Sequence, residues 1–171
     1  MGSVSVWRHV RAILLLPGLV AVVVPAFIVW WSDDVSVGWG LPDGLAVLPV
    51  LLGSTSIALG LTLVVWTIAL FATEGEGTLA PWDPTSELVV RGPYRHVRHP
   101  MIAGVACVLA GEAALLGSLP LLLWCAAVVA VNAVYLPLVE ERGLGRRFGA
   151  EYDAYRANVP RWVPRLRPWA P

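Results

Sequence analysis

Polar and apolar positions in this chain separate into blocks instead of alternating. Four blocks are almost wholly apolar: Ala12 to Trp31, Leu45 to Ala72, Met101 to Gly117 and Leu119 to Val139. A bilayer-spanning helix needs about 20 apolar residues, within a range of roughly 17–25. None of the four blocks carries Arg or Lys, and only Glu112 and Asn132 are strongly polar inside them. The pattern predicts an all-α, polytopic membrane protein with about four transmembrane helices. The second span is expected to begin in earnest near Pro49, because proline is best tolerated in a first turn. The stretch Gly117 to Pro120, "GSLP", reads as a tight turn, which makes spans three and four an antiparallel hairpin.

Past Val139 the helical spacing continues with a different polarity. Leu144, Phe148, Tyr152 and Tyr155 fall on one helical face in "VEERGLGRRFGAEYDAYRANVP". This predicts a C-terminal amphipathic helix that ends at Pro160 and breaks near Gly143–Gly145. Between spans two and three, residues 73–100 form a connector whose glycines and prolines exclude one long helix. The expected division is a two-helix membrane anchor over 1–72 and a core over 73–171.

Composition sharpens this picture. At 57% hydrophobic and 14% charged residues, the chain is too apolar for one soluble domain. All 12 basic residues are arginine: two precede span one, Arg91, Arg95 and Arg98 lie between spans two and three, and the rest follow span four. The first loop, "SDDVSVGWGLPDG", holds three aspartates and no base. Basic loops stay inside, so both termini and the Arg91 segment are expected to face the cytoplasm. Trp30, Trp31 and Trp39 would mark the outer interface, and Trp7, Trp82 and Trp162 the inner one. Outside the membrane-proximal segments there is no basic tract, so nucleic acid is not an expected partner. Cys107 and Cys125 lie within spans and form no CxxC.

The polar chemistry concentrates in "RGPYRHVRHPM", Arg91 to Met101, at the mouth of span three. Pro100 suits a helical first turn, which puts His99 at the N-cap. The free N–H groups of that helix end, with Arg95 and Arg98 nearby, make an anion site. The hairpin's nearly equal arms bring Glu140 and Glu141, at the end of span four, back beside this corner. An anion site facing carboxylates suits a zwitterionic amino acid, with Tyr94, Tyr152 and Tyr155 available to face a cation. His96 and His99 at i, i+3 lack a third fixed ligand, so no metal is expected. Glu112 lies thirteen residues from His99, roughly 20 Å along a helix, and is expected to make a structural contact.

The segments "GTLAPWDPTSELVVRGPYRHVRHPM" and "EERGLGRRFGAEYDAYRANVPRWVPR" resemble the isoprenylcysteine carboxyl methyltransferase family, which belongs with the membrane phospholipid N-methyltransferases. The resemblance spans about residues 73–167. It implies an integral membrane methyltransferase that uses S-adenosylmethionine without a dinucleotide-binding domain. It implies a cofactor pocket of Tyr94, Arg95, Arg98, His99, Pro100, Glu140, Glu141, Tyr152, Tyr155 and Arg156, with Arg98, His99 and Glu141 nearest the chemistry. Ile102 stands where the family often has tyrosine. The substrate would be lipid-like or prenylated, reached from the membrane. Membrane sterol and steroid reductases carry a similar "RHP" segment and use NADPH, and a small membrane scaffold would need no cofactor. The sequence leaves both open as alternatives.

Overall fold

The computed structural model describes residues 14–74 and 88–170. Residues 75–87 of the connector, Trp7, Trp82 and the first two residues of the expected span one lie outside the described residues. All the regular elements among the described residues are helical. In order it contains α1 (Leu14–Val23), α2 (Val24–Trp31), a 3-10 turn (Val37–Gly40) and α3 (Asp43–Glu74). A second 3-10 turn (Gly92–Arg95) leads to α4 (Pro100–Leu116), α5 (Leu119–Tyr135), a wide turn (Leu136–Glu140), α6 (Glu141–Phe148) and α7 (Ala150–Asn158).

Two helical runs are long and apolar enough to cross a membrane, Asp43–Phe71 and Leu119–Phe148. Two more are apolar but shorter, Pro17–Trp31 and Pro100–Leu116. Leu45, Leu48, Leu52, Leu59, Val65, Leu123, Val131 and Val134 all stand exposed on these helices. A water-soluble surface does not carry so much contiguous apolar area, whereas a bilayer solvates it. Trp30, Trp31 and Trp39 are exposed at the end of α2 and in the following turn, as an interfacial belt requires.

α3 starts at Asp43 and runs straight through Pro49, earlier than the sequence suggested. Pro49 falls early in the helix, where the bond its missing N–H would make involves only the first turn. Along its length α3 lies antiparallel on α4 through paired glycines. A methyl group on Gly53 would meet the Gly111 carbonyl at 2.7 Å, and one on Gly60 would meet the Gly104 carbonyl at 2.6 Å. Midway between these pairs, Ser56 Oγ donates to the Cys107 carbonyl at 2.7 Å. Without water to drive helices together, such close backbone approach and interhelical hydrogen bonding supply the association.

The α4–α5 hairpin forms as the sequence indicates. Gly117 closes α4 at φ 56, a left-handed conformation that costs a residue with a Cβ. The first loop then folds over the turn, where Ser36 N donates to the Leu116 carbonyl at 2.9 Å. α1 has wide, π-type turns around Pro17 and leads directly into α2. In such turns the Val20 carbonyl would look to the N–H five residues on, and Pro25 has none. Trp124 Nε1 on α5 donates to it instead, at 3.1 Å. Both cysteines are free thiols.

Candidate functional site

The two ends of the hairpin opposite its turn do meet, as the matched arm lengths predict. α4 begins at Pro100, which is buried, and His99 is its N-cap residue, 6% exposed. From the other arm, α5 passes into the wide turn Leu136–Glu140, which contains Pro137, and Glu141 N donates to the carbonyl five residues back. Consecutive residues of a regular helix diverge by about 100°. Here Glu140 and Glu141 nevertheless bracket one imidazole: His99 Nδ1 is 3.3 Å from Glu140 Oε1, and His99 Nε2 is 3.3 Å from Glu141 Oε1. Wide turns of this type recur at functional sites, where they re-aim side chains.

The two carboxylates differ sharply. Glu141 is 4% exposed and Glu140 is 41% exposed. Glu141 Oε1 accepts from Arg161 Nε at 2.6 Å and lies 2.9 Å from Arg98 Nη1, while Oε2 accepts from Arg161 Nη2 at 2.8 Å. Burial pushes the Glu141 carboxyl up. The hydrogen bonds from Arg161 and His99 and the charges of Arg98 and Arg161 outweigh that and hold it at about 2. The same hydrogen bond raises the Arg161 guanidinium above its ordinary range. Both carboxylates stand past Val139, the last apolar residue of span four.

Arg98 is 10% exposed, yet its contact to Glu141 is end-on. Neither its Nε nor its Nη1 makes an aligned hydrogen bond, and the buried Tyr152 hydroxyl lies beside the Arg98 guanidinium, whose hydrogen bond and charge act on it. Unpartnered buried donors are rare. Arg98 and the Tyr152 hydroxyl thus form a buried polar hook at this corner. Tyr152, Tyr155 and Val159 are the centre of a small core onto which Leu88, Val90, Leu144, Phe148 and Trp169 pack. The aromatic stripe therefore faces inward, and burial raises both tyrosine hydroxyls above their ordinary range.

The helix carrying that stripe breaks at Gly149 (φ 53, ψ −126), not at Gly143–Gly145. Gly143 has open space around it, Gly145 has a Tyr152 ring atom at ordinary contact distance, and both remain helical, whereas the backbone at Gly149 adopts a conformation that effectively requires glycine.

The other expected site residues are placed as follows. Tyr94 is buried, its carbonyl accepts from Tyr155 Oη at 2.8 Å, and its ring meets Phe71 edge-on at 5.7 Å. Arg95 turns away from the corner, donating through Nε to the Trp169 carbonyl at 2.5 Å. Arg156 also stands apart, 3.3 Å from Asp153 on the exposed side of α7. His96 Nδ1 lies 2.7 Å from the Arg165 carbonyl, and no metal-binding group of three ligands exists among the described residues. Glu112 has a buried oxygen with no partner among the described residues.

Arg161 was missed. It follows α7 in the tail, twenty residues from Glu141, where no helical spacing links the two. The tail returns along the site mouth: Arg98 N donates to the Pro160 carbonyl, Arg165 N to that of His96 and Trp169 N to that of Arg95. Trp162 reaches within 6.4 Å of the His99 ring. The readable signal was "VPRWVP", whose two prolines end the helix and force an extended return.

Leu61, Thr62, Val65, Trp66 and Ala69 make a shallow, open apolar patch on the outer face of α3. The Trp66 ring lies against Gly92, at the start of the 3-10 turn that carries Tyr94.

Comparison with models of protein families matches residues 48–151 to the one described as phospholipid methyltransferase. No curated protein matches the chain, and no solved structure does.

Proposed function

The chain belongs to the phospholipid methyltransferase family, and we propose that the tips of its α4–α5 hairpin, with the returning tail, form the site of methyl transfer at the cytoplasmic face. As a family member it is a membrane methyltransferase that acts on a lipid acceptor and uses S-adenosylmethionine. Membership selects methyl transfer over the reductase chemistry that the "RHP" segment alone left open.

The observation that carries the site assignment is the pairing of opposites at one corner. Arg98 keeps donors without an aligned hydrogen bond, and the next residue, His99, has the half-exposed carboxylate of Glu140 3.3 Å from its Nδ1. These residues fit the amino-acid end of S-adenosylmethionine: Arg98 and Tyr152 would hold its carboxylate, and Glu140 its ammonium. Glu141 is not the ammonium partner, because Arg161, Arg98 and His99 already occupy its oxygens.

When bound, the cofactor supplies an electrophilic methyl group on a sulfonium centre. The acceptor's lone pair forms the new bond, so alignment and exclusion of water matter more than acid chemistry. Trp162 and the returning tail cover His99 and narrow the mouth. A carboxylate acceptor becomes a neutral ester and releases no proton. An amine acceptor must release one, and Glu140 or His99 would receive it. The ionised, saturated Glu141 is a poor base and serves to fix Arg161 and His99 at the corner.

An apolar acceptor tail would lie along the apolar outer face of α3, whose Trp66 ring reaches Gly92 at the start of the turn that carries Tyr94. The motif set "GPYRHVRHP", "EE" and "FGAEYDAY" favours a carboxylate on a lipophilic, prenyl-like molecule as acceptor. Membranes containing the protein, incubated with methyl-labelled S-adenosylmethionine, test both levels. Label released as methanol by mild base is the expected result. Label retained on an amine would overturn the carboxylate assignment, and no transfer to any lipid would overturn the function.

A further inference from the structure

Glu141 has two guanidinium partners within reach and pairs with them unequally. Arg161 grips it side-on through Nε and Nη2, at 2.6 and 2.8 Å. Arg98 touches only Oε1, end-on, and keeps unaligned buried donors at Nε and Nη1. A carboxylate prefers a two-pronged guanidinium partner. With Arg161 gone, the nearest fork available to Glu141 is that of Arg98, one contact away. Glu141 would then swing fully onto the Nη1–Nη2 edge of Arg98 and close that edge to a ligand.

We propose that Arg161 is a positioning residue that competes with Arg98 for Glu141 and thereby keeps Arg98 open to receive the ligand's carboxylate. Arg161 lies beyond residue 151, where the family match ends. The main-chain bond from Arg98 N to the Pro160 carbonyl, 3.0 Å, holds the neighbouring tail residue against the hook itself. Folding of the tail and opening of the hook are therefore one event. At 31% exposure the Arg161 side chain is reachable by solvent, whereas Glu141 is sealed beneath it. The inference rests on the proposed assignment of Arg98 to the cofactor carboxylate.

The test measures S-adenosylhomocysteine binding by calorimetry on the full chain in detergent or nanodiscs, with a thermal melt of each variant. Arg161→Gln is expected to weaken binding by roughly ten- to a hundred-fold, the weight of one charge-assisted hydrogen bond. Its melting temperature should fall only slightly, because an Arg98–Glu141 pair replaces the one lost. Arg161→Lys should sit between it and wild type, since a point charge competes without the fork. The deciding variant is Arg161→Gln with Glu141→Gln. Removing the carboxylate frees Arg98 again, so this double variant should bind several-fold tighter than Arg161→Gln alone. A double variant that binds no better than Arg161→Gln overturns the proposal, as does an Arg161→Gln protein that binds like wild type. If wild type itself does not bind, the site assignment fails and this inference fails with it.

Discussion

Glu141 sets a measurable acid limit on the fold. Its carboxyl is held at about 2 instead of 4.5, and each pH unit of such a difference corresponds to about 1.4 kcal/mol. The native state therefore gains about 3 kcal/mol from the ionised form, an order-of-magnitude figure. Solvent screening at the half-open Arg161 end reduces it toward about 2 kcal/mol. The folded value lies below the unfolded one, so the stabilisation is fully present above about pH 4.5 and is lost as pH falls toward 2. Glu141→Gln removes it at neutral pH and leaves the buried Arg98 without its counter-charge. For a chain of 171 residues, about 2–3 kcal/mol is a drop of roughly 5–10 °C in melting temperature. Melts of wild type and Glu141→Gln in one detergent, from pH 7 down to pH 2.5, check this. The gap between the two curves should be widest near neutrality and shrink steadily below pH 4.5. A gap that stays constant with pH, or an absent gap at pH 7, would refute the assignment of Glu141 as the ionised anchor.

Other consequences are local. Gly111→Val places side-chain atoms where the Gly53 carbonyl and Ile57 already lie. It should cost about 1–3 kcal/mol by forcing α3 and α4 apart, read as an earlier melt. Gly143→Ala has open space in a regular helix and should be neutral or stabilising by about 0.5–1 kcal/mol. Tyr155→Phe deletes the buried hydrogen bond to the Tyr94 carbonyl and should lower stability by about 1–2 kcal/mol. Unchanged melting of Tyr155→Phe would remove that bond from the account.

The membrane helices and the hairpin were legible in the sequence because they are contiguous signals: apolar run length, a "GSLP" turn and arms of matched length. The meeting of His99 with Glu140 and Glu141 followed from that geometry alone. Three features were not legible, each for a physical reason. The break at Gly149 in place of Gly143–Gly145 depends on backbone angles, and three nearby glycines look alike in sequence. The wide turn at Leu136–Glu140, which aims two adjacent glutamates at one ring, leaves no periodic signature. The Arg161–Glu141 pair and the diversion of Arg95 to the Trp169 carbonyl both arise from the tail's return, a long-range contact. Counting charges at the corner identifies arginines, but not which of them a buried carboxylate will select.

We propose above all that the acidic and basic tips of the α4–α5 hairpin, closed by the tail, hold the amino-acid end of the methyl donor through Arg98. The most direct measurement is the affinity of purified wild type and Arg98→Gln for S-adenosylhomocysteine in nanodiscs. Saturable one-site binding by wild type, weakened at least tenfold or so in an Arg98→Gln protein that still melts cooperatively, is the predicted result. Equal affinity in the two proteins would contradict it.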